Sequence, residues 1–591
     1  MIRTHTCGQL HKKNINETVT ICGWLNIKRN HGGVIFLNVR DIYGITQVVI
    51  SPEKAIFKIA EELKSEYVIK ATGKVVLRPE GNINKDMPTG EIELNADTIE
   101  VLNTSKPLPF ELSEYAGVSE ETRLKYRYLD LRMPAMAKNI ILRSRIASVV
   151  RNYLNSLNFN EIETPILTKS TPEGARDFVV PSRTSPGNFY ALPQSPQIFK
   201  QLLMISGMDR YYQLSRNFRD EDLRADRQPE HTQIDIEMAF VTEDDVIKTI
   251  ENLMKEIFSY IGTDIENTFP SFEYEDVMLK YGTDKPDLRF NLEVRDCSDL
   301  FKNSSFKVFK DSLNSNGVIR GLKGEGGADA SRSDMDKLTE LVKKNGAKGL
   351  VWLKYKNDKF ESPILKFLND EEMTNLRERF NILNGDILFI ATDTPKNIAP
   401  YMGALRTELI KKLKLKPTKE WAFLWVRHFP LLKWKPDENR YDSTHNPFTA
   451  PLPEEMDKLE SDPGNIKSCQ YDLVLNGAEL GSGSIRNHTR EMQEKIFSLL
   501  KYDKKEVENR FGMLMNALDF GAPPHGGIGI GFDRLIAIIC DTDSIRDVIA
   551  FPKTTSGICP LTDAPSALDA NQLKELHLKI TDNKATPNQV A

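Results

Sequence analysis

Short runs that alternate between apolar and polar residues dominate the first hundred positions. Thr18–Leu25, Val34–Arg40, Thr46–Ile50, Val68–Leu77 and Ile92–Val101 are β-branched, strand-length runs separated by glycine or polar turns. Between the third and fourth lies Pro52–Leu63, an amphipathic stretch that predicts a helix. The period then changes. Leu142, Ile146, Val149, Val150, Tyr153, Leu154 and Leu157 recur at three- and four-residue steps, which predicts a helix ending near Asn158. Glu161–Pro165 follows as an extended segment, because the residue before a proline avoids the helical region. In Gln233–Phe240 the alternation returns. Ile234, Ile236, Met238 and Phe240 fall on one face of a strand, and Gln233, Asp235 and Glu237 on the other, so two carboxylates share one side.

Five strands with one helix after the third is the order of a small OB barrel, which binds nucleic acid in a groove with stacking residues, although any small β-barrel would fit the pattern alone. Residues 1–104 are assigned to it. Thr104–Pro109 cannot continue a strand, and residues 105–130 read as a linker or hinge in which the charged stretch Arg123–Arg132 is expected to be a solvated helix. Residues 131–289 and 421–560 read as two parts of one larger domain. Between them, 290–420 has the character of a separate, inserted α+β unit. The tail, 561–591, carries one short helix, Asn571–Leu578, and a polar end.

Composition narrows the class. The chain has 591 residues, 40% apolar and 28% charged, with 28 Phe and 17 Tyr, which excludes a disordered chain. No apolar run approaches the ~18–20 residues of a membrane span. No secretory leader is visible at Met1–His5, and the six cysteines form no C-x-x-C pair, as expected of a reduced, cytoplasmic protein. A net charge of −5 argues against a purely electrostatic coat for DNA or membrane.

No phosphate-binding G-x-x-x-x-G-K-[ST] or G-x-G-x-x-G sequence is present. Instead, arginines and acids recur on strand-like segments: Asn217–Glu221, Leu223–Gln228 and Gln233–Phe240. Two strands joined by an arginine-rich loop suit an anion such as a triphosphate, which guanidinium grips bidentately, whereas the plain alternative is an exposed strand face. Gly526–Arg534 is a glycine run that lets backbone approach a ligand and ends with Arg534 at the start of the apolar helix Leu535–Ile539.

Phe218-Arg219-x-Glu221 and Gly527-x-Gly-x-Gly-Phe-Asp-Arg534 resemble motifs 2 and 3 of class II aminoacyl-tRNA synthetases, and the helix running to Pro165 resembles motif 1, the dimer motif. Thr171–Asp177, Gln194–Gln201, Tyr281–Arg289 and Gly521–His525 resemble the bacterial-type aspartyl-tRNA synthetase family over residues 1 to about 580, including the insertion. The resemblance implies an α+β multidomain protein: an N-terminal OB-fold barrel, an antiparallel-sheet catalytic domain and an inserted, GAD-like α+β domain. It implies an aminoacyl-tRNA ligase that joins L-aspartate to ATP, giving aspartyl-AMP and pyrophosphate, and then passes the amino acid to the 3′ end of tRNA. The substrate's own carboxylate is the nucleophile, so catalysis is positioning and charge neutralisation.

By the same resemblance, Arg219, Glu221 and Arg534 are the catalytic residues, with Arg219 on the α-phosphate and Arg534 on the γ-phosphate. Asp220, Glu221, Gln228 and His231 from one segment, and Glu479, Gly531, Phe532, Asp533 and Arg534 from the others, hold ATP. Asp472 and Glu479 hold Mg²⁺. Glu173, Ser195, Gln197 and Asp235 surround the ammonium of aspartate, Lys200 and Arg486 face its side-chain carboxylate, and His445 closes the site. Two cations there would reject asparagine by about 10⁴–10⁵. Glu479 and Arg486 are an odd number apart, so a bulge near Gly481 or Gly483 is expected to bring them to one face.

In the barrel, Phe36 is expected to stack an anticodon base, or to be barrel core, and Arg29 and Gln47 to read edges or phosphate. His31 and Gly81 resemble family members that accept both tRNA-Asp and tRNA-Asn, whereas strict members carry Leu and a larger or charged residue. The chain departs from the family at Asn446, where a second histidine is common, and at His231, where a phenylalanine commonly stacks on adenine. Partners implied are tRNA-Asp and tRNA-Asn, aspartate and a second copy of the chain, with no membrane and no DNA. The alternatives are a strictly discriminating enzyme, an asparaginyl- or lysyl-tRNA synthetase, and an inactive tRNA-binding paralogue.

Overall fold

The computed structural model describes residues 1–112, 117–171 and 176–581. The chain divides into two compact units, one of Met1–Ile141 with Arg546–Pro565 and one of Leu142–Ile545 with the residues from Ser566 onwards.

The first unit holds the predicted barrel. Strands Thr18–His31, Val34–Asp41, Gly44–Ile50, Val68–Leu77 and Ile92–Asn103 close on one another in the spatial order first, second, third, fifth, fourth. Alternate residues point inward, so Ile35, Leu37, Val39, Leu94 and Ala96 fill the core while Phe36 and Glu93 face outward. The helix after the third strand is shorter than expected, Phe57–Glu62, because Pro52–Ile56 is taken up in turns.

The stretch Arg123–Arg132 is not a solvated helix. It lies in two short helices, Glu120–Lys125 and Arg127–Asp130, and Arg127 and Asp130 are buried, 2% and 0% exposed. The Arg127 guanidinium donates to the carbonyls of Arg546 at 2.7 Å, Ile549 at 2.8 Å and Ala550 at 2.9 Å, and pairs with Asp130. Asp130 is also paired to Arg123 at 2.9 Å. A buried cation is tolerated only when its donors are satisfied, and these carbonyls come from a segment more than 400 positions away.

The second unit is built on an eight-stranded sheet. Its spatial order is Ser271–Glu273, Phe423–Arg427, Gln470–Leu475, Ala478–Ile485, His525–Gly531, Glu230–Ala239, Arg210–Phe218 and Asn160–Glu161. The six inner strands pair antiparallel, and the two edge strands join parallel. The long helix Pro134–Ser156 buries Ile146, Val150 and Leu154, as its periodicity predicts, and Asn158 turns the chain in the left-handed region at φ 61°. The strand Glu230–Ala239 stops one residue short of expectation. Phe240 takes φ 57° and is 74% exposed, so it leaves the apolar face that Ile234, Ile236 and Met238 form.

The inserted segment has its own five-stranded sheet with an apolar core on each side. One is packed by helices Arg332–Lys344 and Pro395–Lys412, the other by Phe301, Phe309 and the helix Asp370–Arg379. Gly403 of the long inserted helix lies against Gly282; a Cβ there would sit 2.3 Å from the Gly282 carbonyl, so only glycine allows the contact. In the tail the helix covers Ala570–Glu575, shorter than expected. Among the described residues no helix is long and apolar enough to cross a membrane.

Arg127→Met should strip three carbonyls of their donor and leave the buried Asp130 with Arg123 alone. The expected loss is about 3–5 kcal/mol, read as a lower urea midpoint for the first unit's unfolding transition.

Candidate active site

One face of the eight-stranded sheet gathers polar side chains in a way strand pairing alone dictates. Asp235 is opposite Gly529, Glu237 opposite Gly527, Ser482 opposite Gly529 and Ser484 opposite Gly527. Cross-strand partners point to the same side, so His231, Gln233, Asp235, Glu237, Ser482 and Ser484 share a face whose floor is glycine. A Cβ at Gly527 would lie 2.2 Å from Glu237 Oε2, so the glycine run makes room for that carboxylate.

Glu237 is fully buried and lies between two cations. Lys200, on the helix Gln197–Ile205, donates to Glu237 at 3.0 Å and to Asp235 at 2.9 Å. Arg486 donates through Nε at 3.0 Å and Nη2 at 3.3 Å to the two oxygens of Glu237, through Nη1 to Ser484 at 2.6 Å, and to the Gly527 carbonyl at 3.4 Å. Burial opposes the charge on Glu237, but Arg486 and Lys200 outweigh it and hold its pKa down at about 2. At Asp235 the balance tips the other way: burial, only partly offset by Lys200, raises its pKa, and its Oδ2 is buried without a partner. Lys200 has three N–H donors and engages two; Arg486 has five and engages four. Each cation keeps one donor for something else.

The expected bulge exists, at Leu480. Leu473 pairs with Gly481 and Val474 with Glu479, leaving Leu480 as the extra residue. Its effect is to return Glu479 to the face of Ser482, Ser484 and Arg486. Beside it, Asp472 accepts from Ser482 at 2.5 Å and Gln470 at 3.1 Å. Burial and the nearby Glu479 push its pKa up to about 8, and Asp284 adds to the effect. Among the described residues no three His, Cys, Asp or Glu side chains are arranged to hold a metal ion.

The part of the face around His231 is more open and more positive. The imidazole of His231 is held down to about 3 by burial and by the charges of Arg219, Arg216 and Arg534. Arg219, Arg216 and Arg534 thus all act on the charge of one imidazole. Arg219 Nε is buried without a hydrogen-bond partner. Arg534 donates to the carbonyl of Glu479 and lies 3.6 Å from Asp226, while Glu221 pairs with Arg227 at 3.0 Å. His445 is held down to about 3 by burial and by Arg486, Lys200 and Arg219, which puts it on the same side of the sheet.

Two residues expected on the nucleotide point elsewhere. Asp533 accepts from Arg143 at 2.5 Å and from the backbone of Thr232 at 2.8 Å, so both oxygens are engaged; Phe532 is 2% exposed beneath the Arg143 guanidinium. They brace the wall that carries Arg534 and His231. Gln228 and Gln197 are buried, Ser195 caps the start of the Gln197 helix by accepting from its backbone at 3.3 Å, Asp220 is exposed and Gly531 ends its strand. Glu173 lies outside the described residues.

Residues 119–555 match the family described as tRNA synthetases class II (D, K and N), and residues 19–102 match the OB-fold nucleic acid binding domain. The chain belongs to the class II tRNA synthetases. It is 55% identical to the aspartate–tRNA(Asp/Asn) ligase of Elusimicrobium minutum over 98% of this chain and 100% of that one, and 50% identical to the ligase of the same name from Desulfatibacillum aliphaticivorans over 99% of each. Among solved structures, asparaginyl-tRNA synthetase from Pyrococcus horikoshii with asparaginyl-adenylate superposes with TM-score 0.58 at 18% identity, over 94% of this chain and 99% of that one. A putative aspartyl-tRNA synthetase from Leishmania major superposes with TM-score 0.59 at 19% identity, over 93% and 94%. These two likenesses show the fold.

In this synthetase the barrel face carries Arg29, Phe36 and Gln47 together, since Arg29 pairs with Phe36 and Gln47 with Asn38 across neighbouring strands. Phe36 is partly exposed and not in the barrel core. Glu93 joins them, accepting from Gln47 at 2.9 Å, and burial raises its pKa. Glu93 was missing from the expected set, as were Glu237 as a partner of both cations, Ser482 and Ser484. Strand alternation could have found all four. His31 is exposed, and Gly81 is exposed with nothing within 4 Å of a would-be Cβ.

Both site histidines are neutral in the folded state with pKa values far below the ordinary 6.5. The unfolded chain thus binds protons first, so stability is present above about pH 6.5 and falls as pH drops towards about 3. His231→Gln combined with His445→Gln should flatten that acid limb in denaturation curves measured from pH 7 to pH 4.

Proposed function

We propose that this chain is an aspartate–tRNA ligase that charges tRNA-Asp and also tRNA-Asn. The observation that carries the amino-acid choice is the donor count in the pocket. Lys200 and Arg486 are already neutralised by Asp235 and Glu237, so rejection of asparagine does not come from two uncompensated cations. It comes from the single N–H that each keeps. A carboxylate accepts both; an amide offers one oxygen and turns an NH₂ against the second donor. A pocket that leaves a buried donor unpaired with the wrong substrate discriminates strongly.

The rest of the substrate fits the same arithmetic. The unpartnered Asp235 Oδ2 takes the ammonium group, and the unpartnered Arg219 Nε takes the α-carboxylate and α-phosphate. The carboxylate oxygen forms a bond to the α-phosphorus, the bond from that phosphorus to the bridging oxygen breaks, and pyrophosphate leaves. A hydroxyl at the tRNA 3′ end then displaces AMP from the carbonyl. His231, kept neutral, lies against the adenine and adds no charge of its own, while Arg534 holds the γ-phosphate. The protein supplies alignment and fixed charge throughout.

A divalent ion fits beside Asp472 and Glu479. Burial and carboxylate repulsion leave Asp472 short of a cation, and Mg²⁺ takes few carboxylates plus phosphate oxygens. It would shield the triphosphate. The barrel face of Arg29, Phe36, Gln47, Glu93, His31 and Gly81 reads the anticodon. No folding requirement fixes Gly81 or His31, which supports a role in tRNA choice. The ligase acts as a homodimer in the cytoplasm.

Aspartate-dependent ATP–pyrophosphate exchange tests the first step; absence of exchange would favour a tRNA-binding paralogue. Charging of tRNA-Asp and tRNA-Asn transcripts tests the second. Comparable rates are expected, with His31→Leu slowing tRNA-Asn selectively, about tenfold for a contact near 1.4 kcal/mol; charging of tRNA-Asp alone would show the strict enzyme. Because an ion must displace the proton that Asp472 holds below about pH 8, Mg²⁺ affinity of the ATP complex should rise between pH 7 and 9. Calorimetry should show a released proton that Asp472→Asn abolishes, and chelation should stop exchange.

A further inference from the structure

Within the first unit one carboxylate collects two guanidinium groups from different parts of the chain. Glu66, on the turn before the fourth barrel strand, is 4% exposed and adopts φ 64°, a conformation unusual for a residue other than glycine. Its backbone donates to the Leu25 carbonyl at 2.7 Å, which aims the side chain inward. Arg40, from the second barrel strand, donates to both of its oxygens at 2.8 and 3.0 Å and to Asn26 at 2.8 Å. Arg132, beyond the barrel, donates to Oε2 at 3.1 Å and lies over the Trp24 ring at 4.8 Å from its centre.

Arg132 immediately follows the turn that Arg127 and Asp130 tie to residues 546–550. The barrel is thus joined to that clamp by the chain of residues 104–118, which carries no regular helix or strand among its described residues, and also by the Arg132–Glu66–Arg40 contact. A covalent tether through a loop limits distance and leaves orientation loose. A guanidinium that is both stacked on an aromatic ring and paired to a buried carboxylate fixes orientation as well.

We propose that Arg132 and Glu66 are positioning residues for tRNA charging: they hold the barrel in a fixed orientation on the Arg127 clamp within the first unit, which use of a whole tRNA requires, and they take no part in activating the amino acid. This rests on the ligase reading above. The competing role is a phosphate contact by Arg132, since two cations on one carboxylate leave a surplus positive charge. The two roles predict opposite outcomes at Glu66. If Arg132 binds phosphate, removing the Glu66 charge frees it and tightens tRNA binding. If the pair is a strut, removing either member loosens the barrel.

The test uses the full-length protein with Arg132→Gln, Glu66→Gln, the double variant and Arg132→Lys. Pyrophosphate exchange should be unchanged in all four. For whole tRNA-Asp, kcat/KM should fall about tenfold in each of the first two, no further in the double variant, and less in Arg132→Lys. A minihelix of acceptor and T arms, which lacks the anticodon, should be charged as by the unaltered enzyme. Tighter or unchanged tRNA use by Glu66→Gln, with a salt dependence of tRNA binding shallower by about one ion in Arg132→Gln, would overturn the strut in favour of a phosphate contact. An equal loss on minihelix and whole tRNA would overturn it in favour of general damage, which circular dichroism melts of Arg132→Gln would register. Failure of the unaltered protein to exchange pyrophosphate would remove the ligase reading itself.

Discussion

The site depends on a buried carboxylate, Glu237, that two cations share. Taking Lys200, Arg486, Asp235 and Glu237 out of water is unfavourable for each ion alone, and such a group persists only when nearly every donor and acceptor meets a partner. That requirement explains much of the surrounding sequence. Gly527 must be glycine for the carboxylate to lie over the backbone. Ser484 and the Gly527 carbonyl take up Arg486 donors that Glu237 cannot reach. The Gln201–His525 contact at 3.2 Å, with His525 also bonded to the Pro523 carbonyl, fixes the helix that carries Lys200. The few unsatisfied atoms left over, Asp235 Oδ2 among them, are then conspicuous, because most of the groups beside them are paired.

The two halves of the site manage charge differently. Around Glu237, two positive and two negative residues cancel, and what is left over is a set of hydrogen-bonding atoms. Around His231 the charge is unbalanced: burial first, and then the charges of Arg219, Arg216 and Arg534, keep the imidazole neutral, while Asp226, 3.6 Å from Arg534, is exposed. A balanced pocket suits a small zwitterion that must be told from its amide. An unbalanced one suits a polyanion that must be gripped and neutralised, where discrimination among anions matters less than field strength.

How much was legible in the sequence follows from the same contrast. Strand parity is strict, so Gln233, Asp235 and Glu237 on one face and the need for a bulge before Arg486 are readable from residue spacing, whereas Phe36 reads equally as a stacking residue or as barrel core. The change of character after residue 290 accompanies a five-stranded sheet of that segment's own, within the second unit. What spacing could not show was which charges meet. Glu237 reads as one more carboxylate on a strand until Lys200, from a helix, and Arg486, from another strand, arrive over it. Arg127 reads as a surface arginine because its partners lie more than 400 residues away. Asp533 sits inside a recognisable motif, yet which way its side chain turns depends on Arg143 from a distant helix. Phe240 was misplaced because alternation persists in sequence after the backbone has already left the strand.

Those facts bear on which properties of such an enzyme can change easily. Altering the amino acid would mean rebuilding a fully buried ionic group, and any single substitution there strands a charge in the interior. Substituting His31 or Gly81 meets no comparable obstacle. His31 and Gly81 lie at the barrel surface, where the fold asks nothing of either side chain and a Cβ at Gly81 meets open space. Substitutions at such positions shift stability little. Under the proposed roles, breadth of tRNA choice can therefore change without disturbing the buried ionic group, a division that comes from where each set of residues is buried.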